Sequence, residues 1–162
     1  MQVFWQSTWK GGLDTDSAGV SGYAHVPPRL ADGRPSALID PGSVGNLCGD
    51  VWARGVARAA ALNQQSPSFE RRPRPLRVCG VGQGTQSCEF DCKLPIAFKQ
   101  LDGSTVSLGH ITTPTVGDSE LPGLLGLTAL RKNRAILDFN KMTLHLFRPR
   151  RLRHPVVFAA RN

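Results

Sequence analysis

Cysteine, acidic residues and long apolar runs are all scarce in this chain of 162 residues. Four cysteines are too few for a disulfide framework, so they read as reduced thiols. No stretch reaches the roughly 18 uninterrupted apolar residues of a membrane-spanning helix. The opening Met1-Gln2-Val3-Phe4-Trp5-Gln6 lacks the charged-then-apolar layout of a signal peptide. Together these absences predict a cytoplasmic protein with no membrane partner, a nuclear location being equally compatible. With 40% hydrophobic and 20% charged residues, wholesale disorder and fibrous repeats are also excluded.

The shortage of acids is uneven. Residues 1–70 hold five Lys/Arg against six Asp/Glu, and residues 71–162 hold fifteen against six, so the net charge of +8 belongs to the second half. It concentrates in Arg71-Arg72-Pro73-Arg74-Pro75-Leu76-Arg77 and in Arg148-Pro149-Arg150-Arg151-Leu152-Arg153. Acid-free clusters of this kind bind phosphate backbones by counterion release, or simply keep a linker and a tail solvated. Neither segment interleaves aromatics for base stacking, which favours the second role and leaves a weak nucleic-acid contact through the basic tail as the first.

The length predicts one domain: a loosely ordered arm over 1–22, a folded domain over 23–147 and a basic tail over 148–162. Tyr23–Val26 and Ala37-Leu38-Ile39 read as a hairpin whose second strand ends in the turn Asp40-Pro41-Gly42-Ser43. Residues 46–62 carry a helical pattern. Residues 67–75 read as an extended Pro/Arg linker, because a residue before proline is pushed out of the α region. Strands follow at 76–82 and 85–98, with Pro95 confining part of the latter to a sheet edge, and at 105–112. Leu121–Leu130 reads as a buried strand, a glycine and a short amphipathic turn, and 135–146 as a closing hairpin. The fold class is therefore mostly β with one or two short helices.

Asp40 is the leading candidate for chemistry: a carboxylate at the end of a buried strand, opening a glycine turn, is held rigidly. Those four residues alone suit a plain turn aspartate equally well. The combination adds more. Ala37-Leu38-Ile39-Asp40-Pro41-Gly42-Ser43, the glycines Gly80, Gly82 and Gly84, and Leu124-Leu125-Gly126 ahead of Ile136-Leu137-Asp138-Phe139 follow one another in a fixed order.

In that order and spacing the chain resembles the retropepsin-like aspartic proteases of retroviral and retrotransposon polyproteins, over roughly 23–147. There an apolar-apolar-Asp-Thr/Ser-Gly-Ala/Ser strand carries the catalytic aspartate, a glycine-tipped hairpin forms a flap, and an apolar-apolar-Gly strand with a short helix braces the active-site turn. The resemblance implies a closed β-barrel or sandwich, one lobe of the acid protease fold. It further implies a homodimer in which two Asp40 carboxylates share one proton and activate a water on an extended peptide or polyprotein substrate. No cofactor or metal is implied. Gly42 would let the backbone approach the partner carboxylate, Ser43 would hydrogen-bond Asp40, and Gly80, Gly82 and Gly84 would give the flap mobility. Pro41 departs from the pattern, since proline supplies neither the hydroxyl nor the N–H found there. Two alternatives follow: an inactive relative acting as a dimerisation or peptide-binding module, and a basic nucleic-acid-binding domain.

Other constellations are weaker. Ser43 with His110 or His145 lacks the glycine two positions before the serine of a nucleophile elbow. Gly80-x-Gly82-x-Gly84 lacks dinucleotide spacing. Cys88 and Cys92 have zinc-like spacing without a second pair, and on one strand would stand roughly 13 Å apart. Cys48 and Cys79 have no evident partner. Asp138 reads as a strand-end residue, and His25, His110, His145 and His154 as surface residues.

Overall fold

The computed structural model describes residues 33, 35–81, 84–99 and 106–147, and the backbone of 156–159. In chain order the elements are β1 (Ala37–Asp40), β2 (Cys48–Gly49), α1 (Asp50–Leu62), β3 (Ser68–Cys79), β4 (Thr85–Lys99), β5 (Val106–Val116), β6 (Gly123–Gly126), α2 (Leu127–Lys132), β7 (Ile136–Asp138), β8 (Thr143–Leu146) and β9 (Val156–Ala159). They form three sheets: β1 with β6, the order β2-β5-β4-β3, and the order β7-β8-β9. The protein is thus mostly β with two helices, as its alternating apolar pattern predicts. The closed barrel is not found: among the described residues all three sheets are open, with β2 and β3 left as edges of the largest.

A β-bulge in β4 organises the core. Cys88 pairs with Val116 and Phe90 with Thr115, so two steps along β4 match one along β5. Because side chains alternate between faces, that extra residue reverses which face each side chain of β4 takes. Beyond it Cys92, Leu94, Ile96 and Phe98 join Ile111 and the apolar stripe of α1, Trp52, Ala53 and Val56, in the larger cluster. Before it Cys88 joins Leu47, Val116 and Leu124 in a second cluster on the other face. Strand β1 runs between the two. Ala37 and Ile39 enter the first cluster, and Leu38 packs against the second. Its parallel partner β6 does the same with Leu125 and Leu124. Burial on both faces is what holds this short pair in place.

Helix α1 starts at Asp50, later than the 46–62 pattern indicates, because Cys48-Gly49 pairs with Thr115-Val116 as β2. Asp50 sits in the first turn, favourable to the helix dipole, where its Oδ1 accepts from Ser119 N at 3.0 Å and its Oδ2 pairs with Arg54 at 2.8 Å. Trp52 lies on β6 because Gly123 has no Cβ to displace its ring, and its Nε1 donates to Ser36 O at 2.6 Å.

The Pro/Arg stretch is not a linker. It forms the middle of β3, a 12-residue strand antiparallel to β4. Prolines are tolerated because β3 is an edge, and the register slips between Arg71 and Leu76 where Pro73 and Pro75 fall. The expectation for Pro95 agrees with the register: β3 begins with Ser68 opposite Lys93, so among the described residues β4 from Leu94 onward pairs only with β5. The strand proposed at 23–26, and the arm and tail, lie outside the described residues, save the tail backbone in β9. No helix among the described residues is long and apolar enough to cross a membrane.

Candidate active site

Asp40 closes β1, in register with Gly126 at the end of β6. The chain then turns, with Ser43 N donating to Asp40 O at 3.2 Å. The carboxylate is part of this turn: Oδ1 accepts from Gly42 N at 3.0 Å and from Ser43 N at 3.3 Å. Its Oδ2 has no partner among the described residues, while Pro41 and Gly42 beside it are exposed.

Three contacts fasten the turn to the bracing strand. Gly126 packs directly on the Gly45 carbonyl, which a Cβ would overlap. Gly126 N donates to Asn46 Oδ1 at 3.0 Å, and Asn46 Nδ2 donates to Thr112 O at 3.0 Å, so one amide links turn, β6 and β5. The opening N–H groups of α2, which no residue within the helix can satisfy, donate to the turn: Leu127 N to Ser43 O at 2.8 Å and Thr128 N to Val44 O at 3.0 Å. Thr128 Oγ1 also donates to Val44 O at 2.6 Å. Leu124 and Gly126 are buried and Leu125 is half-buried, so the residues proposed for bracing do touch the turn's elements.

The glycine hairpin reaches the same strand from the other side. Gly80 and Gly84 bracket the tip with φ of +84° and +70°, the left-handed region that favours glycine, and Gly82 lies outside the described residues. Val78 and Val81 pack against the second apolar cluster of Leu47, Cys88, Val116 and Leu124, the same cluster that Leu38, two residues before Asp40, packs against. The strand with its aspartate, the hairpin and the Leu-Leu-Gly strand, separate in sequence, meet here.

Asp138 is a useful control. Its Oδ1 accepts from Asn140 N and Lys141 N at 2.9 and 3.0 Å, the same local geometry as Asp40. The Asx-type turn alone therefore distinguishes nothing. Asp40 differs in its strand buried on both faces and in the glycine turn tied to α2, whereas Asp138 sits on a three-residue strand of the outer sheet.

Several expectations change. Ser43 does not present its hydroxyl to Asp40. It donates Oγ to Gly45 O at 2.7 Å, and only its N–H serves the carboxylate. Neither histidine considered as a base for it makes that contact: His110 is exposed on β5, and His145 Nε2 lies 3.1 Å from Thr143 Oγ1. His25 and His154 lie outside the described residues. Among the described residues no three His, Cys, Asp or Glu gather as metal ligands. Cys88 and Cys92 are parted by more than distance, since the bulge puts them in different clusters. Cys48, left without a partner by the sequence, lies with its Sγ 3.9 Å from Cys92 Sγ, both buried. The thiol contact to Cys92, then burial, push the Cys48 thiol well above the ordinary range. No spacing rule links residues on β2 and β4, which meet only because β5 lies between them.

A cavity of about 630 Å³ among the described residues does not contain Asp40. It opens behind the turn, where Asn46 and Leu125 are met by Phe98, His110, Leu130 and Leu144. Asp40 is half-buried, beside the exposed Pro41 and Gly42. No protein-family model and no curated protein sequence matches this chain.

Proposed function

We propose that the chain is an aspartic endopeptidase of the retropepsin type, active as a homodimer that joins two Asp40 turns. One observation carries the reading: Asp40 ends a strand buried on both faces, its Oδ1 fixed by Gly42 N and Ser43 N and its Oδ2 without a partner among the described residues, at a turn whose Pro41 and Gly42 are exposed. A carboxylate anchored through one oxygen and open at the other is suited to meeting a symmetry mate. Two such groups in contact hold one proton between them, because like charges that close do not both ionise.

The chemistry follows from that shared proton. The ionised carboxylate takes a proton from a water lying between the two, and the water oxygen bonds to the scissile carbonyl carbon. The protonated carboxyl hydrogen-bonds the carbonyl oxygen as charge develops there. Collapse breaks the C–N bond, with a proton delivered to the leaving amine. The β3–β4 hairpin, glycine-bracketed and packed by Val78 and Val81 near Leu38, covers an extended peptide from above.

Pro41 favours a second reading, a catalytically silent dimerisation or peptide-binding module. It offers no N–H and no hydroxyl at the exposed position beside the carboxylate, where a second chain would need tying. One experiment separates the two: digestion of a mixed peptide library from about pH 4 to 7, wild type beside Asp40→Asn, with sedimentation mass recorded. Cleavage by a dimer that disappears in Asp40→Asn establishes the protease. A dimer that cleaves nothing establishes the module, and a monomer that cleaves nothing refutes both.

A further inference from the structure

The basic stretch of β3 contains no aromatic ring beyond its first residues, but the fold supplies one from the neighbouring strand. Arg71 lies directly opposite Phe90, and Phe69 opposite Cys92, so Phe69, Arg71 and Phe90 share one face of the sheet. The β4 bulge puts Cys88 on the reverse face, hence Arg77, opposite its neighbour Ser87, returns to the side of Phe90. Phe69 and Phe90 are 49% and 45% exposed, unusual for two phenylalanines on a sheet face that elsewhere forms the main core. They are diagonal neighbours, about 7–8 Å apart at the backbone.

The charge on this face is available. Arg77 is exposed and its side chain holds no ion pair or hydrogen bond among the described residues. Arg71 meets Glu89 at 3.5 Å, but both are largely exposed, so the pair is weak and exchangeable. Glu70 and Asp91 lie on the reverse face, where Asp91 is taken by Arg72. The outer edge of β3 is interrupted by Pro73 and Pro75, which argues against an added peptide strand and for a ligand lying on the face.

We propose that this face binds single-stranded nucleic acid, unpaired bases stacking on Phe69 and Phe90 while phosphates contact Arg71 and Arg77. Exposed rings select the planar bases and tolerate any sequence, and the exposed guanidiniums select the backbone. The site is distinct from the Asp40 turn and does not depend on the protease reading.

The test is fluorescence anisotropy of the full chain with a labelled oligouridylate of about twelve nucleotides across a salt series. Phe69→Ala and Phe90→Ala are each expected to weaken binding about tenfold. Arg71→Gln and Arg77→Gln are each expected to reduce the slope of log affinity against log salt by about 0.7. The arginines of 148–153 are present in every variant and contribute equally. Phe69→Trp keeps a ring at the position, and its emission should be quenched by the oligonucleotide beyond any quenching of the wild-type chain. Asp40→Asn should bind as wild type does. The proposal is overturned if folded Phe→Ala variants bind unchanged, if Phe69→Trp shows no added quenching, or if polyglutamate of equal charge competes as well as the oligonucleotide.

Discussion

Asn46 and Gly126, eighty residues apart, are joined by a 3.0 Å hydrogen bond from the glycine N–H to the amide oxygen, and the same amide donates to Thr112 O. One side chain thereby holds the turn after Asp40 against two strands.

Replacing it by alanine leaves the Gly126 N–H and the Thr112 carbonyl without these partners. Asn46→Ala should destabilise the protein by about 1–3 kcal/mol, read as a lower urea midpoint with an unchanged m-value. Asn46→Asp, which keeps the acceptor and loses the donor, should fall between alanine and wild type.

Gly126→Ala should cost more than Asn46→Ala. A Cβ there overlaps the Gly45 backbone, which cannot rotate away as a side chain can. The expected loss exceeds about 2 kcal/mol, and under the proposed function residual folded protein should lose cleavage ahead of its helical circular dichroism.

Pro41→Thr supplies an N–H and a hydroxyl at an exposed position with little to disturb within one chain. Under the proposed function it should leave the unfolding free energy of the monomer within about 0.5 kcal/mol of wild type and shift sedimentation toward the dimer. Cleavage should rise in parallel. An unchanged dimerisation constant would show that position 41 does not lie at the contact.

The thiols should divide by burial. Cys79 is exposed, and Cys48, Cys88 and Cys92 are buried, so a disulfide-exchange reagent should titrate one thiol rapidly in the native state and the rest only on unfolding. Burial also raises Cys88 in the folded state, and the contact with Cys92 raises Cys48. A thiol raised by folding contributes stability that is complete below its unfolded value of 9.0 and is lost as the pH climbs past it. Stability should therefore fall above about pH 9, and Cys88→Ala should flatten that fall while lowering stability at neutral pH.

Much of the candidate site was legible because it is local. Ala37-Leu38-Ile39 alternates, Asp40-Pro41-Gly42-Ser43 has turn chemistry, and Leu124-Leu125-Gly126 is apolar up to a glycine, so strand, turn and brace are dictated within a few residues each. The helix was legible from its apolar spacing, though its start was not, since a two-residue strand pairing with distant Thr115 and Val116 claims Cys48 and Gly49.

What the sequence by itself determined, then, is the set of pieces: reduced thiols, a strand ending in Asp40, a helix, and short β segments separated by glycine. Tertiary structure decided how they combine. Pro73 and Pro75 signal a linker until a partner strand is present, and only the edge position of β3 makes them compatible with a sheet. Cys88 and Cys92 have the spacing of one face until a single bulged residue, set by pairing with β5, sends them to opposite faces. Cys48 meets Cys92, and Phe90 meets Arg71, across strands that no local pattern brings together. The physical reason is common to all of these: turn and helix preferences act over a few residues, whereas register and strand order are chosen by burying both faces of β1 and β6 at once.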